Sequence, residues 1–236
     1  MKEVVLAELC SRIDDLVRQR QGGRVIVGIV GLPGAGKTTL AEALVSELLS
    51  WRAEWTDRLP EVSDPDRPWI GSHVAHMPMD GYHFADVELI RLGRADRKGA
   101  PDTFDAAGYA ALLQRLRETD DDVWAPAFDR TIEQPIAGSI PVLRCARVVI
   151  TEGNYLLLDG APWERARSFL DMVWFYDLDD DVRRQRLVNR HIRFGKSPRD
   201  AVAWVNDVDQ RNADLIAPTR SKADLVVNDS GYGPAD

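Results

Sequence analysis

One short segment near the start of the chain limits the folds that it can adopt. Residues 25–30 read VIVGIV, an apolar run typical of a buried strand, and residues 31–38 follow directly as GLPGAGKT. This is the pattern G-x-x-x-x-G-K-[ST], continued from residue 39 by the helix-forming TLAEAL. Glycines let backbone N–H groups surround phosphate oxygens, and a helix N-terminus adds its positive dipole there. The segment therefore predicts a strand, a phosphate-binding loop and a helix.

The polar side chains of this loop have predictable roles. Lys37 is expected to reach the outer phosphates of a nucleoside triphosphate, and the Thr38 hydroxyl to ligate Mg²⁺. The alternative is an ordinary glycine-rich turn, but the preceding strand and following helix are the context that phosphate binding requires. The predicted nucleotide-binding residues are Gly31, Pro33, Gly34, Ala35, Gly36, Lys37, Thr38 and Thr39.

The bulk composition excludes several classes of protein. A chain of 236 residues, 44% hydrophobic and 29% charged, suits one α/β domain with a sizeable core. Its net charge of −8 argues against nucleic acid or an anionic membrane as a partner. Cys10 and Cys145 fit neither a disulfide framework nor a metal site. With acidic residues near the N-terminus and no apolar run of spanning length, we expect a cytoplasmic protein.

Strands and helices alternate along the chain, which predicts a parallel sheet covered on both faces. We expect one domain over 1–236, with a surface excursion at 51–71 whose role is not evident. The expected strands lie near 24–30, 73–79, 147–153, 172–178 and 223–227. The expected parts are an N-terminal helix (1–21), a core (24–178 and 223–228) with a hairpin near 123–142, a helical lid (179–212) and a loose tail (231–236).

Two acids follow predicted strands, where the chemistry of such sheets collects. Glu152 is expected to hold Mg²⁺ directly or through water, the alternative being an exposed acid at a strand end. Asp80 can accept the proton of a substrate hydroxyl that attacks the γ-phosphate. An Asx turn made by Asp80 and Gly81 explains that acid equally well.

Four arginines recur on one face of a predicted helix: Arg183, Arg186, Arg190 and Arg193. Such a face can close over phosphates and spread the charge of a transition state. The alternative is a solvated face that pairs with the acids at 179–181. We expect one or two of the four to be functional.

Two histidines are ambiguous. His83, flanked by Tyr82 and Phe84, can line a substrate pocket or simply pack, and the nearby Asp80 favours the pocket. His191 has no evident partner in the sequence and is interpreted as structural.

Seven segments together resemble the phosphoribulokinase/uridine kinase family, which includes the type I bacterial pantothenate kinases. The resemblance covers most of residues 24–228, and its texture is nearest to short bacterial members that are fructokinase-like or nucleoside/nucleotide kinase-like. The segments are GLPGAGKT (31–38), MDGYH (79–83), RKGAPDTFD (97–105), PAFDR (126–130), TEGNY (151–155), Arg186 to Arg190, and ADLVV (223–227).

This resemblance implies a P-loop NTPase-type three-layer α/β fold with a five-stranded parallel sheet in the order 2-3-1-4-5. It implies Asp80 as the base or hydroxyl anchor, Glu152 as the acid linked to Mg²⁺, and a lid arginine, Arg186 or Arg190. It also implies substrate contacts, and the possibility of a homodimer as in other members. The expected substrate-binding residues are Tyr82, His83, Phe84, Lys98, Phe128, Arg130, Glu152 and Asn154.

We therefore predict an ATP- and Mg²⁺-dependent kinase that phosphorylates a hydroxyl of a small metabolite such as uridine, fructose or pantothenate. The chain lacks the larger size of pantothenate kinases and the paired acids of uridine kinases, so the acceptor stays open. One alternative is a nucleotide-binding regulatory protein without transfer activity. Another is a GTPase, mimicked at 105–108 and 221–224, but Ser221 stands where a guanine reader needs Asn or Thr.

Overall fold

A twisted sheet forms the middle layer of the molecule. The computed structural model describes residues 3–20, 22–50, 73–229 and 231–233, and within these residues the main sheet has six strands. Numbered in chain order, the strands lie side by side as Val74–Pro78 (β2), Val148–Glu152 (β5), Val25–Val30 (β1), Met172–Tyr176 (β6), Leu225–Asn228 (β7) and Gly231–Gly233 (β8).

The five parallel strands follow the predicted order, with β1 between β5 and β6. The sheet differs from the expectation at one edge, where β8 pairs antiparallel with β7. Residues 231–233 were expected to belong to a loose tail. Instead the Asn228 side chain accepts a hydrogen bond from the backbone of Gly231 at 2.9 Å, which turns the chain back onto the open edge of β7.

Helices cover both faces of the sheet, as predicted. Helices Glu3–Gln19 (α1) and Lys37–Ser50 (α2) pack on one face, and Ala106–Glu118 (α4) and Ala161–Ser168 (α5) on the other. Every residue of β1 is buried, and its side chains alternate between the two apolar clusters. This burial on both faces explains why the strand reads as a continuous apolar run.

The predicted hairpin is confirmed outside the main sheet. Strands Val123–Asp129 (β3) and Gln134–Val142 (β4) form a separate antiparallel pair. β3 packs against the tight turn of residues 79–82 that follows β2. A Cβ added to Gly81 would lie 2.2 Å from the carbonyl oxygen of Pro126, so only glycine permits this approach.

The predicted lid region is mostly helical. It contains Asp180–Arg193 (α6), Pro198–Trp204 (α7) and Gln210–Ile216 (α8), with one π-helical turn at Val205–Asp209 between the last two. The short helix Asp86–Leu92 (α3) follows the turn after β2.

The surface excursion predicted at 51–71 lies outside the described residues. Among the helices that are described, none combines the length and the hydropathy needed to cross a membrane.

Candidate active site

The phosphate-binding loop joins β1 to α2 and contains two residues in left-handed conformations. Gly34 has φ +81° and Gly36 has φ +106°, values that side-chain-bearing residues rarely adopt. The Lys37 ammonium folds back over the loop and donates to the carbonyl oxygens of Gly31 at 2.9 Å and Leu32 at 3.1 Å. These two carbonyls satisfy the cation within the loop.

Burial makes the charge of Lys37 costly. Desolvation lowers the pKa of its ammonium to about 8, although the carboxylates of Glu152 and Asp80 partly offset this effect. A buried cation whose ordinary pKa is depressed marks a position where an anionic ligand would relieve the cost.

Thr38 and Glu152 meet directly beside the loop. The parallel pairing of β5 with β1 places Glu152 opposite Ile29, and the Thr38 hydroxyl donates to Glu152 Oε1 at 2.9 Å. Burial and, second, the Asp80 carboxylate raise the pKa of Glu152 to about 7, and the Lys37 ammonium opposes the rise. Glu152 is 4% exposed, so the reading of an exposed strand-end acid is wrong.

This pair fits Mg²⁺ in its donor chemistry. Mg²⁺ prefers oxygen ligands and is usually held by one or two protein groups together with substrate phosphates and water. The hydroxyl of Thr38 and the carboxyl of Glu152 supply such oxygens next to the phosphate loop. The described residues contain no cluster of three or more His, Cys, Asp or Glu suited to a metal.

Asp80 lies in the turn that follows β2, and β2 is the strand next to β5. Its Oδ2 accepts a hydrogen bond from Arg130 Nη2 at 3.1 Å, an ion pair supplied by the hairpin tip. The Asp80 carboxylate therefore bonds to another segment and makes no Asx turn with Gly81. Lys37, Thr38, Glu152, Asp80 and Arg130 all line one cleft of about 1340 Å³.

Several other predicted substrate-binding residues line the same cleft. The His83 ring lies between the rings of Phe104 (3.9 Å between centroids) and Phe128 (4.7 Å). Lys98 forms an ion pair with Asp86 at 2.5 Å, and its Nζ lies 5.6 Å from the centroid of Phe128. The predicted cleft residues found there are His83, Lys98, Phe128, Arg130, Glu152 and Asn154.

Tyr82 and Phe84 are not among the residues that line the cleft, contrary to the expectation. Tyr82 packs edge-on against Tyr109 with ring centroids 5.2 Å apart. Phe84 donates its backbone N–H to the carbonyl of Thr103. In the tight turn successive side chains diverge, so only His83 of the three faces the cleft.

The arginine face of α6 divides into different roles. Arg183 is fully buried and joins Asp180 to the Pro33 carbonyl of the phosphate loop, the latter at 3.2 Å. Arg186 lies beside the loop, with Nη1 3.5 Å from the Ala35 carbonyl. Arg190 lines the cleft, and its guanidinium has no hydrogen-bond partner among the described residues. Burial and the nearby Arg130 lower its pKa.

The segments that mimic GTPase motifs have structural partners. The Asp105 side chain caps α4 by accepting from Gly108 N at 2.8 Å. Asp224 accepts from the backbone of Val173 at 2.6 Å and from Arg167 at 2.8 Å. Both carboxylates therefore have structural roles in the fold.

Sequence reasoning missed two buried polar residues of the cleft. Asp209 and Asn212, each 7% exposed, line it from the π-helical turn and α8. Asp209 Oδ2 lies 2.8 Å from Nε2 of His191, which also lines the cleft. No motif announces a π-helical turn, so the sequence carried no signal for this pair.

Comparison with known proteins shows which family the chain belongs to. No family model matches the chain. However, it is 30% identical over 228 residues to "Putative uridine kinase C227.14" of Schizosaccharomyces pombe, covering 93% of this chain and 88% of that relative. The chain belongs to the phosphoribulokinase/uridine kinase family.

Two further members of the comparison extend this result. The "putative fructose transport system kinase" from Silicibacter sp. TM1040 shares 34% identity and superposes with a TM-score of 0.76, over 94% of this chain and 98% of that one. A "Pantothenate kinase" of Nocardioides sp. is 25% identical over 91% of this chain and 69% of its own length. The chain is thus a P-loop kinase, a nucleotide-binding phosphotransferase.

Glu152 should give this kinase a measurable pH dependence of stability in the absence of metal and nucleotide. Because its pKa is raised to about 7, the folded state binds more protons than the unfolded state between about pH 4.5 and 7. Unfolding free energy should therefore fall as pH rises through this window, and the loss is complete above the folded pKa. Lys37, with a pKa of about 8, stays charged throughout.

Glu152→Gln isolates this effect because glutamine mimics the protonated acid. We expect the variant to match wild type near pH 5 and to exceed it in unfolding free energy at pH 7.5, measured by urea denaturation. A constant difference across this range would show that Glu152 does not titrate there.

Proposed function

We propose that this protein transfers the γ-phosphoryl group of ATP to a hydroxyl of a small metabolite in the presence of Mg²⁺. The observation that carries the proposal is the position of Asp80. Its carboxylate, held by Arg130, lies in the same cleft as the Lys37 cradle and the Thr38–Glu152 pair. A hydroxyl placed against Asp80 would face the terminal phosphate held by the loop.

In this proposal the loop holds the nucleotide. The backbone N–H groups and Lys37 bind the phosphates. Phosphate oxygens of ATP replace the carbonyl oxygens of Gly31 and Leu32 as partners of the Lys37 ammonium. Thr38 and Glu152 would hold Mg²⁺, which when bound neutralises charge on the β- and γ-phosphate oxygens. Burial of the site strengthens each of these interactions.

Asp80 orients the acceptor hydroxyl and takes its proton as the phosphoryl group is transferred. Arg130 holds the carboxylate in place, because its Nη2 donates to one oxygen and leaves the other free. Arg186 and Arg190 reach the cleft from α6 and stabilise charge on the transferred group.

Arg190→Met provides a test of the lid. The guanidinium of Arg190 lines the cleft without a hydrogen-bond partner among the described residues, so it is available to the phosphates. Its loss should therefore lower kcat on the order of tenfold. Arg199→Met is the matched control, since Arg199 is exposed on α7 and does not line the cleft. Equal kinetics of both variants would rule out Arg190 as a transition-state ligand.

The acceptor is a sugar, a nucleoside or pantothenate, the classes named by the relatives. Its pocket is formed by His83, Lys98, Phe128, Arg130 and Asn154. ADP release, coupled to NADH oxidation, should be measured with D-fructose, uridine and pantothenate. We expect acceptor-dependent ADP release with at least one class. Binding of ATP without release with any of them would favour the nucleotide-binding regulatory alternative.

A further inference from the structure

A histidine–aspartate pair on the lid is not used by the proposed transfer. His191, near the end of α6, directs Nε2 at Oδ2 of Asp209 at 2.8 Å, and the two side chains are only 14% and 10% exposed. Both line the cleft. Polar groups buried this far need partners, and each of these two satisfies the other.

The pair lies at the end of the cleft assigned to the acceptor. Asn212, one turn after Asp209, directs its amide at the carbonyl of Gly99 at 3.5 Å. The hydroxyl of Tyr155 donates to the same carbonyl. Gly99 follows Lys98, whose Nζ lies over the ring of Phe128. The π-helical turn therefore borders the segment that carries the predicted acceptor contacts.

The local backbone aims Asp209 at this place. The π-helical turn at Val205–Asp209 inserts an extra residue between α7 and α8, and Asp209 is its last residue. Such turns are rare and occur frequently at functional sites. Here the turn directs a buried carboxylate towards His191 and not outward into solvent.

The hydrogen bonds also determine which ring nitrogens remain available. Because a carboxylate accepts, the contact with Asp209 uses Nε2–H of His191, and Nδ1 of the ring has no partner among the described residues. His83 is the converse case. Its Nδ1 donates to the carbonyl of Asp80 at 2.7 Å, which leaves Nε2 as an acceptor. Both rings are held by the protein, and each leaves one ring nitrogen for a ligand.

We propose that His191, oriented by Asp209, accepts a hydrogen bond from a hydroxyl of the phosphate acceptor other than the one that is phosphorylated. This inference rests on the proposed kinase function and narrows its substrate class. Together with His83 and Asp80, His191 would give the ligand three hydrogen-bond acceptors. A compound with several neighbouring hydroxyls, a sugar or the ribose of a nucleoside, supplies the matching donors.

The charges beside His83 favour the same class. Lys98 is already paired with Asp86, and Arg130 with Asp80. Arg190 is assigned to the phosphates in the proposed transfer. A carboxylate beside His83, such as that of pantothenate, would therefore compete with the Lys98 or the Arg130 pair, whereas hydroxyls need no such exchange.

The test compares substrates that lack one hydroxyl at a time. D-fructose and uridine are measured with their monodeoxy analogues on wild type and on His191→Ala. We expect the variant to raise KM for the active acceptor about tenfold, the loss of one hydrogen bond, with KM for ATP unchanged. On wild type, one monodeoxy analogue should show a KM raised by the same factor relative to its parent compound. On His191→Ala, the KM of that analogue should equal the KM of the parent compound.

His191→Asn and Arg199→Ala are the companion variants. The asparagine carbonyl can accept a hydrogen bond, so this variant should recover part of the lost affinity, and Arg199→Ala should behave as wild type. Thermal unfolding checks that each variant folds. His191 is structural, and the inference fails, in either of two cases. In the first, every monodeoxy analogue raises KM by the same factor on wild type and on His191→Ala. In the second, KM for ATP rises in parallel with KM for the acceptor.

The outcomes separate this inference from the function on which it rests. If wild type phosphorylates no acceptor, the proposed function itself fails. If wild type is active and His191→Ala retains its KM, only the role of His191 is refuted. Activity with pantothenate alone would overturn the sugar or nucleoside class.

Discussion

Asp80→Asn should reduce kcat by about 10²–10⁴-fold, the range that loss of a general base gives. The amide keeps the size of the carboxylate and can accept from Arg130, but it cannot take a proton from the acceptor hydroxyl. Because Asp80 lies beyond the loop that holds the nucleotide, KM for ATP should change little. Steady-state ADP release, with ATP and the acceptor varied separately, measures both effects.

Asp159→Asn is the matched control. Asp159 pairs with Lys222 outside the cleft and is largely exposed. Its variant should show wild-type kinetics. If Asp80→Asn weakened ATP binding as strongly as it slowed turnover, Asp80 would support the site's structure and would not act on the acceptor.

The sequence predicted the parts of the site whose residues are adjacent or follow buried strands. The glycine pattern at 31–38 required one local conformation, so Lys37 and Thr38 could be placed from the motif alone. Glu152 and Asp80 follow apolar runs, and parallel strands bring such ends to one edge of a sheet. The strand order followed from the family resemblance, since no local pattern states which strands pair.

Other features depended on contacts between distant segments. Tyr82 and His83 are neighbours in sequence, yet the tight turn sends one ring against Tyr109 and the other into the cleft. His191 and Asp209 lie 18 positions apart and meet only because a π-helical turn shifts the register of the lid helices. Hydrophobic periodicity cannot distinguish such a turn from a continuous α-helix.

Lys37→Ala should abolish measurable transfer, lowering kcat by about 10³-fold or more, because a donor aimed at the transferring phosphates is worth about 10²–10³ and this one is also charged. Its ammonium is buried, and its pKa is lowered to about 8. The fold thus bears a cost to keep a cation where phosphate oxygens can replace the carbonyls of Gly31 and Leu32. Cooperative thermal unfolding should persist, because removing the cation also removes its desolvation cost.

The pH dependence of ATP binding tests the same charge without relying on turnover. In wild type, ATP affinity measured by calorimetry should fall as pH rises above about 8, because Lys37 then loses its proton in the free protein. Lys37→Ala should bind ATP weakly at every pH, with no such decline. Lys222 pairs with Asp159 outside the cleft, so Lys222→Ala should retain the wild-type pH profile of ATP binding. A Lys37→Ala protein with near-normal transfer would mean that the loop does not hold the phosphates that react.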